Sequence, residues 1–269
     1  MAKVFLIGHP VAHSLSPVMH NAAFAALGLP HRYETRDVAP AALADAIAAL
    51  RREEALGANV TIPHKEAVTR LVDDTTDEAR DVGAVNTVVR RGSRLIGANT
   101  DVAGFARAVA AADGSALLSH RRVLLLGAGG AARACAYVLL PTCEVLVANR
   151  SAERAERFAR EVEVEGRRAR VVPWPQAGAA LDVYAVVNAT PLGMNDEDPL
   201  DGIALPRVVV DIVPTRQETP LVRRAREAQD VTVVDGLTML LHQAARSFEL
   251  WTGTAAPLEA MRAALPRPA

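Results

Sequence analysis

The sequence predicts an α/β protein in which helices cover both faces of parallel strands. Three observations carry this expectation: strand-like and helix-like patterns alternate, the strand-like runs are apolar at successive positions, and a glycine-rich turn joins one run to a helix. Strands that are apolar on both faces are typical of parallel sheets. In the second half of the chain the runs lie at residues 123–126, 144–147, 183–187, 208–213 and 231–234.

The first hundred residues predict a second α/β domain. Strand candidates lie at residues 4–7, 33–38 and 59–62, and a hairpin over residues 85–90 and 95–98 turns at Gly92 and Ser93. Because the hairpin interrupts the alternation of strand and helix, this domain is expected to have a mixed sheet. An amphipathic pattern predicts a helix over residues 238–251. We expect one domain at 1–101, completed by 238–269, another at 102–237, and a site in the cleft between them.

The charge balance favours small molecules as partners. Thirty Lys and Arg residues against thirty-one Asp and Glu give a formal net charge of -1, which leaves no overall field to attract nucleic acid or a membrane surface. The apolar run at residues 4–7 is too short for a secretory signal, so we expect a cytoplasmic protein, either a monomer or a homodimer. Cys135 and Cys143 lie in apolar patterns and are expected to be inert.

A dinucleotide site is predicted where the strand at 123–126 meets the following helix. The turn consists of Gly127, Ala128, Gly129, Gly130 and Ala131, followed by Ala132 where a small residue packs helix on strand. The first glycine allows the tight turn, and the second lets the backbone approach a pyrophosphate. The helix N-terminus then offers N–H groups and the positive end of its dipole to the phosphates.

The end of the next strand favours NADP over NAD. An enzyme that uses NAD usually has an acidic residue here, about 20 residues beyond the glycines, to hold the ribose 2′-hydroxyl. This chain has Asn149, Arg150, Ser151 and, one helical turn later, Arg154. Such donors and guanidinium groups suit a 2′-phosphate. The alternative is that both arginines are solvated charges on a surface helix that also carries glutamates.

Polar residues cluster near predicted strand ends in the first domain. They lie at residues 13–17, 59–65, 83–87 and 97–101, where a rigid sheet can present side chains to a cleft. Ser16 before Pro17 is typical of a helix N-cap followed by proline at the first helical position. That local role explains Ser16 and Pro17 but does not explain Ser14.

Taken together, these segments resemble the shikimate dehydrogenase family, over essentially the whole chain. The motifs that carry the resemblance are His13-Ser-Leu-Ser-Pro17, Asn59-Val-Thr-Ile-Pro-His-Lys65, Gly83-Ala-Val-Asn-Thr87, Asn99-Thr-Asp101, Gly127-Ala-Gly-Gly-Ala-Ala132, Asn149-Arg150, Asn188-Ala-Thr-Pro-Leu-Gly-Met194 and Gln243. The resemblance implies a substrate-binding domain first, a Rossmann-type NADP domain second, and NADP-dependent, reversible reduction of 3-dehydroshikimate to shikimate.

The resemblance also implies roles for individual residues. Ser14 and Ser16 would hold the substrate carboxylate, while Thr61, Asn86, Asp101 and Gln243 would hold its ring hydroxyls. Lys65 and Asp101 would form the catalytic pair. Asp77, Ile212 and Gly236 would border the cofactor.

The implied catalytic pair fits the chemistry of ketone reduction. The reaction needs a hydride donor and a proton donor at the carbonyl oxygen, and a Lys ammonium can both stabilise the developing alkoxide and supply the proton. A neighbouring carboxylate would orient that ammonium. Considered alone, Lys65 is an exposed helix lysine, His64 is a helix-start or surface residue, and Asp101 is an N-cap. His9 and His13 flank a proline-containing loop without a Glu or Cys cluster, so no metal is expected.

Two departures from the family pattern concern the substrate pocket. The family has a tyrosine shortly after the position of Asp211, where this chain has Pro214. It also has a second glycine two residues after Gly236, where this chain has Thr238. The second interpretation is therefore a paralogue of the same fold that oxidises quinate or an aminated shikimate.

Other residues argue against the alternatives. Quinate-using relatives are expected to have threonine more often at the position of Ser16, and an acid near Asn149 when they use NAD. The third interpretation is a pseudoenzyme that senses a shikimate-like metabolite. It would be expected to lose Lys65 or Asp101, and both are present.

Overall fold

The computed structural model describes residues 1–52, 54–114 and 117–266. In chain order its strands are β1 (Lys3–Gly8), β2 (Arg32–Asp37), β3 (Ala55–Val60), β4 (Asp74–Thr75), β5 (Thr87–Arg91), β6 (Arg94–Ala98), β7 (Arg122–Leu126), β8 (Glu144–Ala148), β9 (Glu163–Val164), β10 (Arg167–Arg168), β11 (Arg170–Val171), β12 (Ala185–Asn188), β13 (Val208–Asp211) and β14 (Thr232–Val234). Its helices are α1 (Ser16–Ala26), α2 (Leu43–Ala49), α3 (Asp77–Val82), α4 (Asp101–Asp113), α5 (Gly130–Leu139), α6 (Ala152–Glu161), α7 (Pro220–Glu227), α8 (Gly236–Thr252) and α9 (Leu258–Ala263). No helix within these ranges is both long and apolar enough to cross a membrane.

Residue contacts divide the chain into two compact units. The first contains residues 1–103 and 241–266, and the second contains residues 104–240. One boundary falls within α4 and the other within α8. Each unit has its own sheet and core.

The first unit is built on a mixed sheet with the strand order β2-β1-β3-β5-β6-β4. β1 pairs in parallel with β2 and β3, whereas β5 is antiparallel to β3 and β6. The hairpin between β5 and β6 turns at Gly92 and Ser93, and Gly92 has a φ of +63°, which glycine adopts readily. Phe5, Ile7 and Val60 contribute to the core of this unit. The predicted mixed sheet and hairpin are confirmed.

The second unit is built on a parallel sheet with the strand order β11-β8-β7-β12-β13-β14. This is the strand order of the doubly wound dinucleotide-binding fold. Successive residues of β7 enter different cores: Val123 and Leu125 pack in one cluster, and Leu124 and Leu126 pack in the other. Both faces of the strand are buried, which confirms the interpretation of the apolar runs.

The sequence pattern places one strand wrongly and misses the shortest ones. β3 covers Ala55–Val60 rather than 59–62. Its first half is rich in Ala and Gly, which have low strand propensity, and Pro63 cannot donate a ladder hydrogen bond and restricts Ile62. The strands β4, β9, β10 and β11 have two residues each, which is too few to produce a periodic signal.

Candidate functional site

Lys65 lies in the first unit, on a turn beyond the carboxyl end of β3. Its carbonyl accepts a hydrogen bond of 2.8 Å from the amide of Val85, which fixes the turn against the segment before β5. The Lys65 side chain is 14% exposed, and its Nζ donates to Asp101 Oδ2 at 2.6 Å. The alternative of an exposed helix lysine is wrong, because Lys65 is largely buried and is not in a helix.

His64 anchors the same turn from the inside. It is buried, and its Nε2 lies 2.6 Å from the carbonyl oxygen of Val38. A carbonyl oxygen can only accept, so Nε2 carries the hydrogen. The His64 amide also donates to the carbonyl of Thr61 at 2.9 Å. The interpretation of His64 as a helix-start or surface residue is therefore wrong, and its ring holds the chain beside Lys65.

Asp101 is the first residue of α4 and is not its N-cap. The amides of Asp101 and Val102 donate to Asn99 Oδ1 at 3.1 and 3.4 Å, so Asn99 satisfies the first turn of the helix. The Asp101 carboxylate is 6% exposed. Its Oδ2 accepts from Lys65, and its Oδ1 accepts from Asn86 Nδ2 at 2.8 Å. Because Asn99 provides the cap, the carboxylate of Asp101 is available to orient the ammonium.

Asn86 and Gln243 join this group from distant parts of the chain. Asn86 Nδ2 donates to Thr100 Oγ1 at 2.9 Å and to Gln243 Oε1 at 3.3 Å. The last contact connects residues separated by 157 positions and brings α8 to the pair of Lys65 and Asp101. Four predicted site residues, Lys65, Asn86, Asp101 and Gln243, therefore form one hydrogen-bonded group.

Ser14, Ser16 and Thr61 lie beyond the carboxyl ends of β1 and β3, which are parallel neighbours. The prediction of Ser16 as an N-cap is wrong: α1 begins at Ser16, and the preceding Leu15 makes no side-chain cap. Ser14 Oγ instead accepts from the Ser16 amide at 3.2 Å. The Ser16 side chain also hydrogen-bonds Tyr33, whose pKa is raised above its ordinary value by burial. The Tyr33 hydroxyl donates to Asn59 Oδ1 at 2.8 Å, and Asn59 Nδ2 donates to the Asn86 carbonyl at 3.2 Å, so Ser16 is linked to the group around Lys65 through Tyr33 and Asn59.

Sequence reasoning assigns no role to several buried polar residues beside this group. They are Asn59, Thr87, Thr100 and Ser247. The first three occur in the motifs quoted above, so the motifs themselves are a signal. Ser247 gives no local signal, because its side-chain partners lie between 147 and 188 positions away.

The glycine turn of the second unit has the local geometry of a dinucleotide site. Gly127 has a φ of +107°, and a Cβ there would lie 2.8 Å from the carbonyl oxygen of Ala189. Gly129 is the N-cap of α5, and a Cβ there would meet no atom within 4 Å. No side chain caps this helix, so its first amides are available to an anion. Gly130 and Ala131 form the first turn, and Ala132 is fully buried beneath it. The residues present fit a pyrophosphate.

The residues after β8 provide free cationic groups. Ser151 caps α6, and its Oγ accepts from the Arg154 amide at 3.3 Å. Asn149 Nδ2 donates to the Ser151 carbonyl at 3.0 Å. Arg150 and Arg154 are exposed, and within the described ranges neither has an ion-pair partner. Their guanidinium groups are therefore available to a phosphate, and their exposure is also what the alternative of solvated charges on a surface helix predicts.

The three remaining predicted cofactor residues divide between the units. In the second unit, Gly236 approaches the chain after β13 so closely that a Cβ would lie 2.3 Å from the Val213 carbonyl oxygen and 2.8 Å from the Ile212 carbonyl carbon. Asp77 belongs to the first unit, where it is 92% exposed and its Oδ1 accepts from Arg80 at 2.6 Å. The structure therefore brings Ile212 and Gly236 together within the second unit, whereas Asp77 belongs to the first unit.

A buried carboxyl group holds the loops that follow β12 and β13. Asp211 accepts from Thr219 Oγ1 at 2.6 Å, from Asn188 Nδ2 at 2.9 Å and from the Val213 amide at 3.2 Å. Burial raises the pKa of Asp211 to about 6, although these hydrogen bonds act in the opposite direction. The Asn188 side chain also bonds the Leu192 carbonyl at 3.0 Å. Asp211 thus fixes the start of the loop that carries Pro214.

Thr238 is connected to the same loop through charged residues. Its amide and hydroxyl both donate to Asp235 Oδ1 at 2.9 Å. Arg226 bridges Asp235 Oδ2 and Glu218 Oε1, each at 3.0 Å. These hydrogen bonds and ion pairs therefore connect the two segments of the second unit that carry the departures from the family pattern, Pro214 and Thr238.

Comparison with known proteins places the chain in a family. Residues 6–88 match the shikimate dehydrogenase substrate binding domain, residues 109–237 match shikimate / quinate 5-dehydrogenase, and residues 236–265 match the shikimate 5′-dehydrogenase C-terminal domain. A curated shikimate dehydrogenase (NADP(+)) from Symbiobacterium thermophilum is 46% identical over 272 residues, which cover 96% of this chain and 92% of the relative.

Solved structures agree with the sequence comparison. The shikimate 5-dehydrogenase of Thermus thermophilus, solved in complex with NADP(H) and shikimate, is 38% identical, with a TM-score of 0.84 over 98% of each chain. The 5-ketofructose reductase of a Gluconobacter strain is 31% identical, with a TM-score of 0.84 over 98% of this chain and 97% of its own. The fold, the ordered motifs and the identity over nearly the full length lead to one conclusion: the chain belongs to the shikimate dehydrogenase family.

Proposed function

We propose that the chain catalyses the reversible, NADP-dependent reduction of 3-dehydroshikimate to shikimate. The observation that carries the proposal is the buried contact of 2.6 Å between Lys65 Nζ and Asp101 Oδ2, with Asn86 and Gln243 bonded to the same group. The chain is an oxidoreductase of the shikimate dehydrogenase family, and curated relatives that cover nearly its whole length are named as NADP-dependent shikimate dehydrogenases.

Lys65 is assigned to proton transfer. Reduction of a ketone leaves negative charge on the carbonyl oxygen, which needs a stabilising cation and then a proton. An ammonium supplies both, and in the direction of oxidation the neutral amine takes the hydroxyl proton. The Asp101 carboxylate holds the ammonium through Oδ2 and is itself fixed through Oδ1 by Asn86. Asp101 therefore orients Lys65 through this contact.

The substrate is assigned to polar groups of the first unit. Ser14 and Ser16 are hydroxyl donors beyond β1 and are assigned to the substrate carboxylate. Thr61, Asn86, Asp101 and Gln243 are assigned to the ring hydroxyls. The placement of these side chains near the carboxyl ends of neighbouring strands supports the assignment, because ligands of open α/β sheets bind at that edge.

NADP is assigned to the second unit. The open side of Gly129 and the uncapped N-terminus of α5 suit the pyrophosphate, with Gly127, Ala128, Gly130 and Ala131 shaping the turn. Asn149, Arg150, Ser151 and Arg154 suit the 2′-phosphate. Ile212 and Gly236 are assigned to the border of the cofactor, and Asp77 is assigned to the cofactor on the resemblance alone. When bound, NADPH supplies the hydride.

The same proposal assigns a different function to each part of the chain. We assign substrate binding and catalysis to residues 1–101 with 238–269, and cofactor binding to residues 102–237. The family resemblance and the match of residues 6–88 to a substrate binding domain support this assignment. A cytoplasmic location, and a monomeric or homodimeric state, remain predictions of the sequence.

A two-by-two assay tests the proposed function. Shikimate and quinate are each offered with NADP and with NAD, and reduction of the cofactor is followed by absorbance. The proposal requires shikimate with NADP to have the highest catalytic efficiency. Higher efficiency with quinate would contradict the substrate assignment, and higher efficiency with NAD would contradict the assignment of the arginines after β8.

A second candidate function is oxidation or reduction of a related polyol. The observation that favours it is Pro214, an exposed residue without a hydrogen-bond donor where the family has tyrosine. The similarity to a 5-ketofructose reductase supports the view that this fold serves more than one substrate. Turnover of quinate or an aminated shikimate above that of shikimate would establish this candidate instead.

A further inference from the structure

Ser247 lies at the centre of a buried polar cluster in the first unit. Its side chain is fully buried, on the face of α8 that meets the sheet. Ser247 Oγ lies 2.8 Å from Thr87 Oγ1, 2.9 Å from Thr100 Oγ1 and 3.0 Å from Asn59 Nδ2. These partners come from β5, from the segment before α4 and from β3. One hydroxyl therefore joins α8 to three other segments.

The amide groups around Ser247 have defined orientations. Asn86 Oδ1 accepts from the backbone amide of Thr100 at 2.7 Å, and a backbone amide can only donate. Asn86 Nδ2 must therefore face Asp101 and Gln243. Asn59 Nδ2 donates to the Asn86 carbonyl at 3.2 Å, so Asn59 Oδ1 faces the Tyr33 hydroxyl at 2.8 Å and accepts from it. The amide groups of Asn59 and Asn86 therefore each have one orientation.

Gln243 is held by the same cluster and lies one helical turn before Ser247. Its Oε1 accepts from Asn86 Nδ2 at 3.3 Å and from Thr100 Oγ1 at 3.4 Å. Ser247 Oγ is also 3.1 Å from the Gln243 carbonyl oxygen. Residues four positions apart share one face of a helix. The contacts of Ser247 with Thr87, Thr100 and Asn59 therefore set the rotation and depth of α8 at Gln243.

We propose that Ser247 is a positioning residue for substrate recognition, acting through Gln243. The inference rests on the proposed function, in which Gln243 binds a ring hydroxyl of shikimate. Four polar atoms surround the Ser247 hydroxyl, which can donate one hydrogen bond and accept two, so its removal would leave buried partners without a bond and force them to rearrange. Loss of the Ser247 hydroxyl should therefore misplace Gln243 and leave the cofactor-binding turn of the second unit unaffected.

A double-mutant cycle tests the inference. Ser247→Ala, Gln243→Ala and the double variant are compared with the parent in shikimate oxidation with NADP. If Ser247 acts through Gln243, Ser247→Ala should lower kcat/KM for shikimate by about fivefold in the parent and by less than about twofold in the Gln243→Ala background. The loss in the parent should arise mainly from a higher KM for shikimate, while the KM for NADP stays unchanged.

Thr252 provides a matched control on the same helix. Its Oγ1 donates to the Phe248 carbonyl at 2.8 Å, the same kind of contact that Ser247 makes with Gln243. Thr252→Val should leave both Michaelis constants unchanged. Melting temperatures are measured for each variant, and if Ser247→Ala does not fold, the same cycle is run with Ser247→Cys, which keeps a weak donor at similar volume.

Three results would overturn the inference. One is a Ser247→Ala variant with unchanged kcat/KM for shikimate. The second is the same fold-change in both backgrounds, and the third is an equal rise in the KM for NADP. If the parent does not oxidise shikimate at all, the proposed function fails and this inference fails with it, whereas a normal parent with additive losses overturns the inference alone.

Discussion

Lysine is rare in this chain: among the thirty basic side chains, only Lys3 and Lys65 are lysines. An arginine stays protonated in proteins, whereas a lysine can give up and take back a proton. A lysine at a buried ion pair in an arginine-rich sequence therefore fits proton transfer better than it fits structural pairing. Burying a charged pair also costs desolvation, so the contact with Asp101 is weak support for a purely stabilising role.

Replacement of Lys65 tests its role directly. Lys65→Met should lower turnover by roughly a hundredfold or more, because both the proton donor and the cation at the alkoxide are lost. Binding of NADP should remain nearly intact, as measured by titration of the apoenzyme. Lys3→Met is the matched control, since Lys3 pairs with Glu34 at 3.1 Å on β1 and β2 and should be dispensable for turnover. Near-normal turnover in Lys65→Met would mean that the assignment is wrong.

Asp211 leads to a pH-dependent prediction of stability. Its pKa in the folded protein is about 6, above the ordinary value of 3.8. Between pH 3.8 and about pH 6, Asp211 keeps its proton in the folded state but has lost it in the unfolded state. The contribution of Asp211 to the free energy of unfolding therefore falls as pH rises through this range. A shift of this size corresponds to about 3 kcal/mol in total. Above about pH 6 the contribution is constant.

Urea unfolding of the parent and Asp211→Asn between pH 4 and pH 7 measures this effect. The asparagine does not titrate, so the difference in unfolding free energy between parent and variant should become less favourable to the parent as pH rises. Glu153→Gln removes an exposed carboxylate of α6 and serves as the control. A difference between parent and Asp211→Asn that stays constant across this range would contradict the raised pKa.

The sequence predicts the candidate catalytic residues more readily than it predicts the residues that position them. Lys65 and Asp101 occur in ordered motifs, and the structure places them in contact. The sequence predicts Asp101 as the cap of α4, but in the structure the side chain of Asn99 accepts from the first amides of the helix. Sequence alone does not show which of two neighbouring polar side chains turns toward these amides. Ser247 is recognised only through partners in distant segments, because a buried hydroxyl leaves no periodic or local pattern.

At the scale of elements, the strand–turn–helix segment from β7 to α5 shows how much a local pattern can specify. The apolar run, the glycines and the small residue at Ala132 predict the strand, the turn and the packing of the helix. A turn with a φ of +107° at Gly127 requires glycine, so the sequence and the backbone agree at that point. Short edge strands are not predictable in this way, because their pairing depends on neighbours in the sheet.

The segment after β8 carries a prediction about the cofactor. Because Arg150 is free to form a charge-assisted contact with a 2′-phosphate, NADP should be preferred over NAD by at least about tenfold in catalytic efficiency. Arg150→Ala should reduce that preference several-fold, mainly through the KM for NADP. Arg157→Ala is the control, since Arg157 is also exposed but lies seven positions further along the chain, within α6. Equal efficiency with NAD and NADP in the parent would contradict this assignment.

At the scale of the whole molecule, the family and the reaction type follow from the ordered motifs, whereas the departure from the family pattern at Pro214 lies in one loop. The loop between β13 and α7 is fixed at its ends by Asp211 and Thr219. Arg226 then connects Glu218 on this loop to Asp235 before α8. These contacts join residues that are distant in sequence, so sequence alone identifies the departure at Pro214 without specifying the path of the loop.

Pro214 is the position at which the substrate assignment can be tested most directly. The family pattern places a tyrosine there beside the substrate, and proline removes both the hydroxyl and the ring. Loss of one neutral hydrogen bond should weaken binding by about 0.5 to 1.5 kcal/mol, which is a several-fold rise in the Michaelis constant rather than a loss of activity. Arg216, two residues further on, is exposed and is expected to be solvated.

Pro214→Tyr should therefore lower the KM for shikimate several-fold and leave the KM for quinate nearly unchanged. Pro214→Phe is the matched control, because it restores the ring without the hydroxyl and should recover less affinity. Arg216→Ala should change neither constant if the guanidinium is solvated. Equal effects of tyrosine and phenylalanine would assign the gain to packing rather than to a hydrogen bond. Unchanged constants in Pro214→Tyr would show that position 214 does not border the substrate, and the choice between shikimate and its analogues would then rest on residues of the first unit.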